Sequence, residues 1–135
     1  MNLTQESDYA IRAVLILTNN TEVLDASSIS QMGAIPNRFL LKLLGKLAKA
    51  GIVKSFRGVN GGYKLNKEPK DINLKMIIEA IEGEIAINRC LYDVETCNRK
   101  LNGNCPVHRA LFNVQEKLTN ALESINFEDF KNGVW

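Results

Sequence analysis

All three cysteines of the chain, Cys90, Cys97 and Cys105, lie with its only histidine, His108, in one polar stretch, CLYDVETCNRKLNGNCPVH. Gly103 and several asparagines give that stretch the character of a loop, with no periodicity that would bury thiols in a core. Three is an odd number, and in a reducing compartment such thiols serve as metal ligands or sensors rather than as a disulfide framework. Three cysteines and a histidine form a standard zinc set, although zinc motifs bring cysteines as C-x2–4-C pairs and the gaps here are six and seven. Unmetallated thiols are the other option, since Arg89, Arg99 and Lys100 could lower a thiol pKa. His108 also has a plain role in capping or packing at a helix start. Cys105 and His108 can be drawn as a nucleophile and base, but no third group orients them and no oxyanion site is recognisable, so no enzyme is expected.

The elements that must position this loop follow from the rest of the chain. Its 135 residues are 45% hydrophobic and 24% charged, as expected of one globular domain with an appended helix. No apolar run approaches the roughly 18 residues of a membrane span. The opening MNLTQESDYA carries acid where a signal peptide carries base, so a cytoplasmic protein is expected. The net charge of +2 hides an asymmetry. From Ala26 to Lys67 there is no Asp or Glu, yet eight bases: Arg38, Lys42, Lys46, Lys49, Lys54, Arg57, Lys64 and Lys67. The remainder holds nine bases against fifteen acids. A one-sided basic block predicts a polyanionic partner, because a merely solubilising face mixes both signs.

Residues 4–18 read as a largely buried helix with Thr4 as N-cap and Glu6 and Asp8 in its first turn. In ASSISQMGAIPNRFLLKLLGKLAKAG, a short helix fits 27–32 with Gly33 just past its end. Pro36 suits the first turn of a second helix running to about residue 50. Its core stripe is Phe39, Leu40, Leu43, Leu44 and Leu47, and Arg38, Lys42, Lys46 and Lys49 take another face. This is helix-turn-helix spacing. Two short strands, 52–56 and 63–65, flank the glycine-rich RGVNGG and predict a basic hairpin, the wing of a winged helix. A short amphipathic helix spans 73–82. From Pro106 to about Ile125, apolar residues at Val107, Leu111, Val114, Leu118, Ala121 and Ile125 form a heptad seam that predicts self-association, with packing against the first helix as the alternative. The ending, NFEDFKNGVW, has three aromatics that either dock or form a loose tail.

The candidate DNA-contacting residues follow. Asn37 and Arg38, in the first turn of the second helix, suit adenine and guanine edges. Lys42 and Lys46 suit phosphates, and Arg57 and Asn60 sit at the wing tip, where phosphate or a minor groove is within reach.

LTQESDYAIRAVLIL, ISQMGAIPNRFLLKLLGKLAKAGIVKSFRGVNGGYKL, MIIEAIEG and the loop C-x6-C-x7-C-P-V-H together resemble the family of small winged-helix bacterial regulators that includes IscR, NsrR, RirA and CymR. The resemblance covers nearly the whole chain. It implies a mainly α fold: a winged-helix DNA-binding domain at 1–83, a cysteine loop at 84–105, and a dimerisation helix and tail at 106–135. It further implies a homodimer on palindromic double-stranded promoter DNA, usually a repressor. Many members hold an iron–sulfur cluster in that loop, here on Cys90, Cys97 and Cys105; CymR-like members lack these cysteines. The fourth ligand is open. His108 matches IscR-like members and a two-iron cluster, the reading preferred here. Asp8 matches NsrR-like members, in which the other subunit supplies an aspartate to a four-iron cluster that senses nitric oxide. Gaps of six and seven depart from the tighter five and five of IscR. Zinc or a thiol switch is the alternative to a cluster.

Overall fold

The computed structural model describes residues 1–101 and 104–135; Asn102 and Gly103 of the cysteine loop lie outside the described residues. The first helix, α1, spans Gln5–Thr18, and the Thr4 side chain caps it by accepting from the Ser7 amide. Its buried stripe is Tyr9, Ala10, Ala13, Val14 and Leu17, the spacing of a helix with one face in the core.

Helix α2 (Ala26–Gly33) and helix α3 (Asn37–Lys49) form the helix-turn-helix. Asp25 caps α2 by accepting from Ser28 N. The turn differs from the expectation at one residue. Ala34, not Gly33, takes the left-handed conformation, at φ 50°. Gly33 is instead the last helical residue, and an added Cβ there would meet Ile35 Cδ1 at 2.8 Å and Ile16 Cδ1 at 3.0 Å. Its glycine therefore answers to packing space. Pro36 precedes the first turn of α3 and its carbonyl accepts from Phe39 N and Leu40 N. Leu40, Leu43, Leu44 and Leu47 are fully buried; Phe39 is half-buried against Tyr9.

Strands β1 (Val53–Phe56) and β2 (Gly62–Leu65) pair antiparallel, with Val53 opposite Leu65, Lys54 opposite Lys64, Ser55 opposite Tyr63 and Phe56 opposite Gly62. Tyr63 N also donates to Leu24 O at 2.7 Å, which ties the wing to the segment before α2. A Cβ on Gly62 would lie 2.2 Å from that same carbonyl, so glycine is required by the close approach.

Helix α4 (Leu74–Glu82) is capped by Asn73 and buries Ile77, Ile78 and Ile81. The cysteine loop is not wholly irregular. It contains a four-residue helix, α5 (Arg89–Tyr92), and a 3₁₀ turn at Val94–Thr96. The long helix, α6, spans Pro106–Ser124, followed by α7 (Phe127–Lys131). The tail docks through two of its three aromatics: Phe127 is fully buried in the core and Phe130 half-buried, while Trp135 stays 72% exposed.

On α6 the expected seam divides. Leu118 and Leu122 line an apolar groove with Leu3, Ile78, Ile85 and Ile87, so one side of the helix faces its own domain around α4. Val107 and Val114 stay 59% and 52% exposed, and Ala121 is also exposed. Those three recur every seven residues and form an open stripe. No helix among the described residues is long and apolar enough to cross a membrane.

Candidate nucleic-acid interface and cysteine loop

Amphipathic packing of α3 decides which of its side chains face outward. With Leu40, Leu43, Leu44 and Leu47 in the core, Asn37, Arg38, Leu41, Lys42, Gly45 and Lys49 are exposed. Arg38 lies over the Phe39 ring, 4.8 Å from its centroid. Lys42 and Lys46 converge on one carboxylate: Lys42 Nζ donates to Glu6 Oε1 and Lys46 Nζ to Glu6 Oε2, each at 3.2 Å. Lys46 also donates to the Ile81 carbonyl at 3.1 Å. Lys42 keeps 61% of its side chain exposed against 34% for Lys46, so Lys42 is the freer of the two. The lysine ammoniums hold the Glu6 carboxyl below its ordinary value, Lys46 first and Lys42 next.

The wing tip stands clear of the core. Arg57, Val59 and Asn60 are exposed, Val59 completely so. The turn is closed by Gly61 N donating to Gly58 O at 3.0 Å. A Cβ on Gly61 would come within 2.4 Å of the Phe56 carbonyl, so the tip has one tight backbone path. The structure thus brings the helix-turn-helix and wing candidates to exposed positions, with Lys46 turned toward α1 and α4. Lys54 and Lys64, two of the eight bases of the acid-free block, are exposed on one face of the hairpin.

A second polar cluster joins α1 to α4 just before the cysteine loop. Glu82 Oε1 accepts from Thr4 N at 3.1 Å, Thr4 Oγ1 at 2.8 Å and the buried Ser7 hydroxyl at 2.5 Å. These donors, Ser7 first, hold the Glu82 carboxyl below its ordinary 4.5. A lowered carboxyl contributes stability that is present above its unfolded-state value and lost as pH falls through the lowered folded value. Acid titration of the folded protein is therefore expected to weaken the α1–α4 junction once pH falls below the ordinary glutamate range. Glu82→Gln should remove that part of the acid dependence, measured as thermal midpoint against pH. An unchanged acid limb in Glu82→Gln would rule the junction out as its source.

The cysteine loop follows from Gly83. Cys90 sits in α5 and accepts a 3.6 Å contact from Asn88 Nδ2. Cys97 follows the 3₁₀ turn, and its N–H donates to Val94 O at 3.2 Å. Cys105 is the N-cap of α6. All three are free and half-buried. The amide of His108 lowers the Cys105 thiol pKa most, the Val107 amide adds to this, and Arg99 and Arg109 contribute charge. A thiolate here is favoured by the unpaired N–H groups of a helix start. His108 is half-buried on the first turn of the same helix. Asp8 is bound by Arg12, whose Nη1 also donates to the Gly33 carbonyl of the helix-turn-helix at 3.3 Å. Among the described residues, no three or more His, Cys, Asp or Glu side chains are gathered closely enough to hold a metal ion. The donor types nonetheless fit a soft-metal group: three thiols, one already biased to thiolate, and an imidazole.

Residues 3–133 match the Rrf2 family, described as iron-dependent transcriptional regulator. The chain is 37% identical over 94 residues to an rrf2-like HTH-type transcriptional regulator of Rhodobacter capsulatus, a stretch covering 66% of this chain and 63% of that one. Among solved structures, it is similar to T. potens IscR, with a TM-score of 0.77 at 25% identity, covering 100% of this chain and 89% of that one. It is equally similar to CymR, the global cysteine regulator of B. subtilis, with a TM-score of 0.77 at 26% identity, covering 96% and 95%.

Proposed function

The chain belongs to the Rrf2 family of transcriptional regulators, and from that premise we propose a homodimeric, cytoplasmic repressor whose grip on palindromic promoter DNA is set by an iron–sulfur cluster. The family is one of regulators, not enzymes. The observation that carries the DNA reading is the exposed basic surface of the helix-turn-helix and wing, drawn from a segment without a single acid. In this reading Asn37 and Arg38 read base edges in the major groove. Lys42, with Lys46 behind it, meets phosphate, and Arg57 and Asn60 take the wing tip to the adjoining backbone or minor groove. The open stripe of Val107, Val114 and Ala121 supports pairing of two α6 helices, which would set two recognition helices on two half-sites.

Cys90, Cys97 and Cys105 would hold the cluster, with His108 as fourth ligand or Asp8 in its place; the histidine favours two iron atoms, the aspartate four. When bound, the cluster would supply a group that responds to iron, oxygen, nitric oxide or redox potential. The protein's own part is to present thiolate at the α6 start and to anchor the loop on both sides, at Glu82 and at α6.

Two measurements test the proposal. An anaerobic visible absorption spectrum after reconstitution with iron and sulfide should show broad bands that Cys97→Ala abolishes. A colourless protein holding zinc or no metal would end the cluster reading and leave the DNA reading standing. For the latter, the affinity of Lys42→Ala for operator DNA should fall, and the slope of log affinity against log salt should drop by about 1 for each lost contact. An unchanged slope would remove Lys42 from the phosphate contacts.

A further inference from the structure

The fold brings one carboxylate to the acid-free block. No Asp or Glu lies between Ala26 and Lys67, yet Glu6 of α1 reaches Lys42 and Lys46 of α3 across 36 and 40 residues of sequence. Each Glu6 oxygen takes one ammonium, at 3.2 Å. The other acid of the same turn behaves differently: Asp8 pairs within its own helix, with Arg12. A first-turn acid suits the helix dipole, but that accounts for neither the reach of Glu6 nor its two partners. Stability does not account for them either. The Glu6 side chain is 30% exposed and that of Lys42 61%, and an ion pair left this open to solvent contributes little to folding. The contact matters more to a polyanion. Anionic oxygens that take lysine ammoniums are what a DNA phosphate offers the same helix. Lys46 spends a second N–H on the Ile81 carbonyl, so two of its three donors are turned inward. Among the described residues Lys42 donates to Glu6 alone and keeps two donors for solvent. Two ammoniums against one carboxylate leave this part of α3 with one net positive charge rather than two.

We propose that Glu6 is an internal rival of DNA phosphate, holding Lys46 back from the duplex and lowering the charge that Lys42 presents to it. This role rests on the DNA-binding reading above and adds a residue, outside the helix-turn-helix and the wing, that limits how tightly the protein grips. Glu6 acts through the two lysines and touches no DNA, so it is a positioning residue. Its effect is blind to sequence, because phosphate is the same at every step. Its place is set by the first turn of α1, which Thr4 and Ser7 tie to Glu82 at the end of α4.

The test uses the full-length protein, an operator selected from random duplexes and a random duplex beside it. Affinity is measured against salt for the parent, Glu6→Gln, and Glu6→Gln combined with Lys46→Ala, with thermal midpoints of the free proteins alongside. Glu6→Gln keeps the size of the side chain and removes its charge. It should bind both duplexes roughly tenfold more tightly at about 0.1 M salt and steepen the slope of log affinity against log salt by about 1, one added phosphate contact. Adding Lys46→Ala should return the slope to the parent's, because Lys46 is the ammonium set free. The midpoint of Glu6→Gln should stay near the parent's. A merely structural tie between α1 and α3 would instead lower the midpoint and leave the slope alone, and that result would overturn the rivalry. So would a gain that survived in full in the double variant, since it would come from net charge alone. A parent that bound duplex, with Glu6→Gln matching it in affinity and slope, would overturn the rivalry and leave the DNA reading standing. A parent that bound no duplex would overturn both.

Discussion

Phe127→Ala should destabilise the protein by about 3–5 kcal/mol, the range for truncating a fully buried phenylalanine. That is a large share of the roughly 5–15 kcal/mol that holds a small domain together. The side chain has no exposed surface, and Phe130 meets it edge-on at a centroid distance of 5.2 Å. The backbone around it is equally committed. Leu74 N donates to Ile125 O at 3.1 Å and Phe127 N to Ile72 O at 3.0 Å, so the chain leaving α6 pairs with the segment entering α4. Asn126 and Asp129 form a capping box at the start of α7. The long helix is therefore fixed to the winged-helix core at its far end by a plug and two hydrogen bonds. Chemical denaturation measures the effect directly. Phe130→Ala, at a half-buried position, should cost less. A loss below about 1 kcal/mol for Phe127→Ala would mean that the cavity collapses or that the tail is not part of the cooperative core.

That plug was the part of the fold least legible in sequence. NFEDFKNGVW has too few residues for a periodicity, and its aromatics fit docking or a free tail equally well. Helices α1, α3, α4 and α6 were legible because each carries an apolar stripe at helical spacing, and the wing was legible from glycines between two short β-rich runs. The turn inside the helix-turn-helix was misjudged at one residue for a definite reason. Gly33 looks like a left-handed terminator, but Ile16 and Ile35 close the space where its Cβ would be, and the left-handed position falls on Ala34. The basic face was legible as a composition bias, and its division of labour was not. Glu6 reaches Lys42 and Lys46 across 36 and 40 residues of sequence, and Glu82 reaches Thr4 across 78, so no local pattern reveals either junction. The cysteine spacing marks the loop in sequence, and Pro106 already puts Cys105 at the start of the long helix; the loop's short helix and 3₁₀ turn needed the fold.

Those junctions define how the loop reaches the recognition helix, and they lead to the second large effect. Under the proposed function, Cys97→Ala should differ from the reconstituted parent by about 100-fold in operator affinity, a coupling of about 2.7 kcal/mol and within the usual allosteric range. The physical route is short. The cysteine loop starts at Gly83, next to Glu82, whose carboxylate takes three hydrogen bonds from the start of α1. Ile81, one residue earlier, accepts from Lys46 of α3, and Glu6 of α1 holds Lys46 and Lys42 together. A shift at residue 83 thus moves α4's last turn, the first turn of α1 and the lysines of the recognition helix as one connected set. Such a chain carries coupling only if its members have two arrangements that the two states of the loop favour differently. Glu82→Ala tests that condition with all three cysteines intact. It cuts the link between α4 and α1, and the 100-fold ratio between reconstituted and unreconstituted protein should fall to less than about tenfold. A ratio that stayed at 100 would send the coupling elsewhere, through α6 and the spacing of the two subunits. A Cys97→Ala protein matching the reconstituted parent in both affinity and site preference would mean that the loop does not govern DNA binding at all.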